Sequence, residues 1–152
     1  MNFLQQAINL AINSANNNGG PFGAVIVKDG KVIGAGHNQV TKNCDPSAHA
    51  EIMAIRDACK NINDYQLSDC TLYSSCEPCP MCMSAIYWAR IPKLVYAATA
   101  ADAARAGFDD QFIVDELAKP YAQRSIIIEH EKHGQSNKSF DEWLANSERK
   151  AY

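Results

Sequence analysis

No stretch of the sequence stays apolar for the roughly 18 residues that a membrane-spanning helix needs, so a span of that kind is excluded. Basic clusters are also missing. Of 14 lysines and arginines the only adjacent pair is Arg149-Lys150, and 17 acidic residues outnumber them, for a net charge of −3. Binding to nucleic acid rests on grouped Lys and Arg that neutralise phosphates, so this pattern argues against such a partner. The opening run MNFLQQAINLAINSANNN has no basic segment ahead of an apolar core, and Gln and Asn interrupt it throughout. It reads as a helix rather than a secretion signal, and the expected location is the cytoplasm. Internal repeats and low-complexity segments are lacking.

What is there fits a globular protein: 152 residues, 47% of them hydrophobic, enough for one substantial core. A single domain over residues 1–152 is expected. Six cysteines would suit a disulfide framework in a small secreted chain, but three of them crowd between Cys76 and Cys82. Reduced thiols and a metal fit that spacing better.

Phe3, Ala7, Leu10, Ala11 and Ser14 share a face at helical spacing, and Gly19-Gly20-Pro21 stops that helix. FGAVIVK and KVIGAGHN flank Asp29-Gly30, a two-residue hairpin signal because both turn positions need positive φ. AHAEIMAIRDACK predicts a helix starting near Pro46 or Ser47, with Ile52, Ile55 and Cys59 at helical spacing. CTLYSS predicts a strand, PMCMSAIYWAR a helix opened by Pro80, and KLVYAA the next strand. A helix at about residues 111–118 and a fifth strand, SIIIEH, continue the alternation. The order implies an α/β sandwich with a mixed sheet whose first pair is antiparallel. The connector GQSNK then leads to a last helix in SFDEWLANSERK, where Ser139 and Glu142 match a capping box and Phe140, Trp143 and Leu144 form an apolar side.

The chemistry concentrates in two segments. His49-Ala50-Glu51 and Pro78-Cys79-Pro80-Met81-Cys82 together match H-x-E with P-C-x-x-C, the pattern of zinc-dependent nucleobase deaminases. With Cys79 as N-cap and Pro80 as the first helical residue, Cys82 falls at N3, and side chains at those positions reach each other. The positive helix end favours the thiolates that zinc requires. His49 and Glu51, two residues apart, would diverge on a regular helix, so their convergence requires a site off the helix end. Cys76 completes no iron–sulfur run, because positions 86 and 87 are Ile and Tyr, and Pro78 holds it on the preceding extended segment. It reads as a buried thiol.

At these residues the sequence resembles the cytidine deaminase-like superfamily and, within it, is similar to bacterial guanine deaminases. GGPFGAVIVKDG, DPSAHAE, AIRDAC, LYSSCEPCPMC, AIYWAR and AGFDDQFI carry the resemblance from about Gly19 to Arg124, together with the closing tyrosine. It implies a three-layer α/β/α sandwich with a mixed five-stranded sheet and one zinc per subunit on His49, Cys79 and Cys82. Glu51 is then the proton shuttle for water attack at C2 of guanine, yielding xanthine and ammonia. Asn38 is expected to hydrogen-bond the base and Asp110 to act near the 2-amino group as a second proton carrier. Phe22, Ala50 and Trp88 are expected against the purine, with Tyr152 completing the pocket. The resemblance also implies a homodimer whose C-terminal segment, about residues 135–152, is exchanged between subunits.

Plainer readings stand beside these. Asp109-Asp110 would cap a helix beginning near Gln111, Asn38 would end a strand, Phe22 and Trp88 would be core, and Tyr152 a free chain end. His37, His130, His133, Cys44, Cys59 and Cys70 belong to no second cluster. The alternative reactions are deamination of tRNA adenosine or of cytosine or a related small base. A noncatalytic zinc-stabilised interaction module is the alternative from another class.

Overall fold

The computed structural model describes residues 2–152, which fall into two compact units, the first ending at Ile113 and the second Val114–Tyr152. In the first, helix α1 (Phe3–Asn16) is followed by strands β1 (Gly23–Lys28) and β2 (Lys31–His37), a short helix α2 (Val40–Asn43), and helix α3 (Ala50–Ile62). Strand β3 (Thr71–Cys76), helix α4 (Pro80–Trp88), strand β4 (Lys93–Ala98) and helix α5 (Ala100–Arg105) complete it. Asn2 caps α1 through its side chain, which accepts the Gln5 amide at 3.1 Å. Asp29 and Gly30 both take positive φ, 48° and 71°, as the predicted hairpin turn requires.

The described residues form one sheet of four strands in the order β2-β1-β3-β4, not five. Its mixed character stands: β1 pairs antiparallel with β2 and β3, whereas β3 and β4 run parallel with α4 as their crossover. The expected fifth strand at residues 125–130 joins no ladder. Three β-branched residues carry strand propensity, but a strand exists only by pairing. Here Ile126 and Ile127 are 72% and 87% exposed.

Side-chain alternation puts helices on both faces of the sheet. Gly23, Val25 and Tyr73 lie on the face of α1, where the rings of Phe3 and Tyr73 meet at 5.5 Å. Ala24, Ile26, Leu72 and Ser74 lie on the face of α3, packed with Ala50, Ala54, Ala58 and, from α4, Ile86. The helix meets the sheet chiefly through its alanines, while Ile52, Ile55 and Cys59, whose spacing marked the helix, stay partly buried, with Ile55 and Cys59 packed against the core. The reason is on β2. A Cβ at Gly36 would fall 2.4 Å from the Ala50 carbonyl oxygen, and one at Gly34 would fall 2.6 Å from the Ala58 amide nitrogen. Backbone meets backbone, leaving room for methyl groups and nothing larger.

Further corrections concern boundaries. Helix α3 begins at Ala50 with His49 as N-cap, later than the predicted start near Pro46 or Ser47. Helix α5 was not anticipated, although Thr99 and Asp102 form a capping box in which each side chain meets the other's backbone amide.

Helix α6 (Gln111–Ala118) leads into the second unit, which holds a 3-10 turn at Tyr121–Gln123 and helix α7 (Lys138–Ala145). Arg124 donates to the carbonyls of Leu117 and Lys119 and lies over the Tyr121 ring, closing the C-terminal end of α6. Because α7 starts at Lys138 with Asn137 as its N-cap, Ser139 is already inside the helix and the Ser139–Glu142 box does not form.

Gly36→Ala should lower unfolding free energy by about 1–3 kcal/mol, since the helix has to lift off the sheet to admit the methyl. Urea denaturation followed by circular dichroism measures this, and an unchanged midpoint would contradict so close a docking.

Candidate active site

Two helix starts face each other across the α3 side of the sheet. His49 is the N-cap of α3 and Cys79 the N-cap of α4, both in extended backbone, and neither side chain caps its own helix. They turn instead toward one another. Cys82, one turn into α4 after Pro80 at N1, points the same way and is fully buried. His49 Nδ1 lies 3.5 Å from Cys79 Sγ and 3.5 Å from Cys82 Sγ. Tetrahedral zinc with ordinary Zn–S and Zn–N bonds holds its sulfur and nitrogen ligands about 3.5 to 3.6 Å apart. The spacing therefore fits that metal. Among the described residues these three form the one His/Cys/Asp/Glu group whose ligand atoms all lie within 4.8 Å of one another.

The electrostatics suit a cation at this point. A hydrogen bond from Cys82, supported by His49, pulls the Cys79 thiol down to about 4, while the same pairing and burial push Cys82 well up. One proton is thus shared between two sulfurs. The hydrogen bond with Cys79 in turn raises His49.

His49 and Glu51 converge because His49, outside the helix, leaves the helical spiral, whereas Glu51 at N2 follows it inward. Glu51 is 6% exposed, and Ser74 Oγ donates to its Oε1 at 3.1 Å. Burial, the largest influence, pushes its carboxyl above the usual range. A raised carboxyl of this kind holds a proton more readily than an exposed one does.

A cavity of about 540 Å³, of the size that small-molecule sites occupy, opens onto His49, Glu51 and Cys79. Asn38, Phe22 and Asp110 line it too. Asn38 accepts the Val40 amide on Oδ1 at 3.3 Å, which leaves its Nδ2 as the donating end. Its own amide donates to the Phe22 carbonyl at 3.0 Å, and Gly20 packs so close that a Cβ there would lie 2.9 Å from Asn38 Oδ1. Asp110 is raised chiefly by partial burial and next by the negative Cys79.

Ala50, Trp88 and Tyr152 are not among the described residues that line this cavity. Ala50 is buried in the core beneath the site. Trp88, at the end of α4, is 62% exposed and does not line the cavity; Tyr152 belongs to the second unit and is 72% exposed. Several lining residues escaped the sequence. Phe108 packs edge-on against Phe22, with centroids 4.9 Å apart and planes at 87°. Glu77 accepts the Ala100 amide at 3.0 Å and pins the start of α5, and Asp109 accepts the Gln111 amide at 3.0 Å, as the capping reading had it. The phenylalanine in AGFDDQFI was the available signal, though nothing local pairs it with Phe22. Cys76 reaches the lining from the end of β3, with its thiol on the Thr99 carbonyl at 3.5 Å and burial pushing it up to about 11. A neutral thiol held in that way is a packing group and not a metal ligand.

Comparison with known proteins follows this geometry. Residues 1–98 match the cytidine and deoxycytidylate deaminase zinc-binding region. The chain is 52% identical to guanine deaminase of Bacillus subtilis (strain 168) over 151 residues, 99% of this chain and 97% of that protein. The X-ray structure of guanine deaminase from Bacillus subtilis superposes with a TM-score of 0.97 at 51% identity, covering 100% of this chain and 99% of the other. A structure of guanine deaminase from Nitrosomonas europaea gives 0.68 at 33% identity, over 71% of this chain and 63% of that one. The tRNA-specific adenosine deaminase of Aquifex aeolicus is 42% identical over 96 residues, 63% of this chain and 64% of its own length. With a matching zinc-ligand triad, a buried carboxyl beside it and a relative aligned from end to end, the chain belongs to the cytidine and deoxycytidylate deaminase zinc-binding family.

Proposed function

We propose that this protein is a zinc-dependent hydrolase that deaminates guanine to xanthine and ammonia. The observation that carries the reading is the convergence of Cys79 and Cys82 on His49, each sulfur 3.5 Å from its Nδ1, beside the buried carboxyl of Glu51 in a cavity of about 540 Å³. Guanine is favoured over adenosine in tRNA because the Bacillus subtilis guanine deaminase is similar over 99% of the chain, whereas the tRNA-specific relative is similar over 63%. The lining agrees. Its charged groups include Glu77, Asp109 and Asp110, and no Lys or Arg stands among its described residues, so a phosphate would be repelled. An uncharged base would not.

In this reading His49, Cys79 and Cys82 hold the metal, one per chain. Zinc bound there supplies Lewis-acid activation of water, lowering its pKa from 15.7 towards about 7. Glu51 takes one proton from the water as its oxygen bonds to C2 and passes that proton to the ring nitrogen; it then takes the remaining proton from the C2 hydroxyl and delivers it to the amine as the C2–N bond breaks, leaving xanthine and ammonia. Asn38 presents its Nδ2 to an acceptor on the base, and Asp110 accepts from the ring N–H and exocyclic amine and serves as a second proton carrier. The edge-to-face pair of Phe22 and Phe108 gives the purine an apolar wall. Roles for Ala50, Trp88 and Tyr152 at the substrate stay part of the reading.

The reading includes a homodimer with the C-terminal segment exchanged between subunits and a cytoplasmic location. The second unit supports exchange by what it leaves exposed, Ile126, Ile127, Phe140 and Leu144 among others. No helix of the described residues is long and apolar enough to cross a membrane.

Ammonia release from guanine, adenine, cytosine, cytidine and transfer RNA, beside a zinc-stripped control, tests the substrate directly, and guanine is expected to be the active one. Glu51→Gln should retain one zinc per chain while kcat falls by about 10²-fold or more; retained turnover would sink its role. Elemental analysis should find zinc lost from Cys79→Ala but unchanged in Cys76→Ala. Light scattering on a chain lacking residues 135–152 should show loss of the dimer, and an intact active dimer is the adverse result for exchange.

A further inference from the structure

We infer that Ser74 is a positioning residue for Glu51: its hydroxyl holds Oε1 as an acceptor and so leaves Oε2 to carry the shuttled proton. The inference rests on the deaminase reading for what Glu51 does, and on geometry for how Ser74 directs it. Ser74 is 2% exposed and pairs across β1 with Ala24, which itself pairs with Gly36. That register places it on the sheet face covered by α3. Its Oγ lies 3.1 Å from Glu51 Oε1, and the same Oγ accepts the Cys76 backbone amide at 3.5 Å.

A serine hydroxyl carries one proton and two lone pairs. With the Cys76 N–H directed at the oxygen, the hydroxyl proton is free to point at the carboxylate, and Oε1 is satisfied as an acceptor. Placing the shuttled proton on Oε1 instead would turn the hydroxyl hydrogen away from its acceptor in a site nearly closed to water, which is costly. The carboxyl also receives its own backbone amide, and the Cys82 thiol lies against it; bound to a metal as a thiolate, Cys82 would have no proton to give. Ser74 is then the side-chain donor that keeps the two carboxyl oxygens distinct. The neighbouring Ser75 provides a contrast: its Oγ accepts the Gly23 amide at 3.0 Å, tying β3 to β1 without touching Glu51.

The test compares wild type with Ser74→Ala, Ser74→Thr and Ser75→Ala by kcat, KM for guanine, zinc content and thermal stability, together with a crystal structure of Ser74→Ala. Ser74→Ala should lower kcat by about tenfold or more, with KM changed by no more than about twofold and zinc at the wild-type level. Ser74→Thr, which keeps the hydroxyl, should recover most of that loss. Ser75→Ala should lose stability without the selective fall in kcat. In the Ser74→Ala crystal the Glu51 carboxyl should leave its present rotamer. A kcat within about twofold of wild type overturns the proposal, as does a loss matched by zinc release or by KM. If the threonine variant does not fold, the Glu51 rotamer in Ser74→Ala decides. If wild type releases no ammonia from guanine, the functional reading fails by itself, and that same rotamer still decides whether Ser74 orients Glu51.

Discussion

The close docking of α3 onto β2 sets the depth of everything at the site. Gly34 and Gly36 offer no side chain, Ala50, Ala54 and Ala58 offer only methyl groups, and the helix backbone descends almost to the sheet. This fixes where the helix begins, and therefore where His49 stands at its cap and how far Glu51 is sunk beneath the surface. A bulkier stripe would raise the helix and carry both residues away from α4. Packing of small residues, usually a matter of stability, here acts as a spacer for chemistry.

The second requirement is that two helix starts point to one place. Helix N-termini are electropositive and favour negative ligands, so the cysteine at the cap of α4 is poised as a thiolate, and the one at N3, which hydrogen-bonds to it, would become the second on a bound cation. Proline at N1 gives up an amide the helix does not use and fixes the first turn. Opposite it, His49 spends no side-chain hydrogen bond on capping α3 and is left free to face the sulfurs. The buried carboxyl beside them is costly to keep charged, and that cost raises its proton affinity.

Around this centre the cavity is assembled from segments distant in the chain. Ser14, at the end of α1, supports the Asn38 carbonyl by a hydrogen bond of 3.4 Å, and Asn38 in turn holds the Phe22 carbonyl. Phe108 comes from the segment after α5 to meet Phe22. Glu77 ties the loop before Cys79 to the start of α5, so the metal-binding loop and the wall that carries Phe108 share one anchor. An acidic rim beside an aromatic wall is the setting for a flat, uncharged, hydrogen-bonding ligand.

The sequence by itself determined four strands and most of the helices of the α/β sandwich, the Asp29-Gly30 turn, and the His49, Cys79, Cys82 and Glu51 group as the candidate metal site with a carboxyl beside it. These depend on local rules: periodicity, turn φ values, and a cap-and-N3 spacing that brings two thiols together within one turn. Tertiary structure decided what depends on partners. It removed a fifth strand, because residues 125–130 have strand-forming side chains but no ladder to join. It set the alanines of α3 against the sheet, because β2 carries glycines where the helix lands. It paired Phe108 with Phe22 and Ser74 with Glu51, contacts between residues 86 and 23 positions apart. A local pattern states which conformations a segment favours. Only the closed fold states what stands across from it.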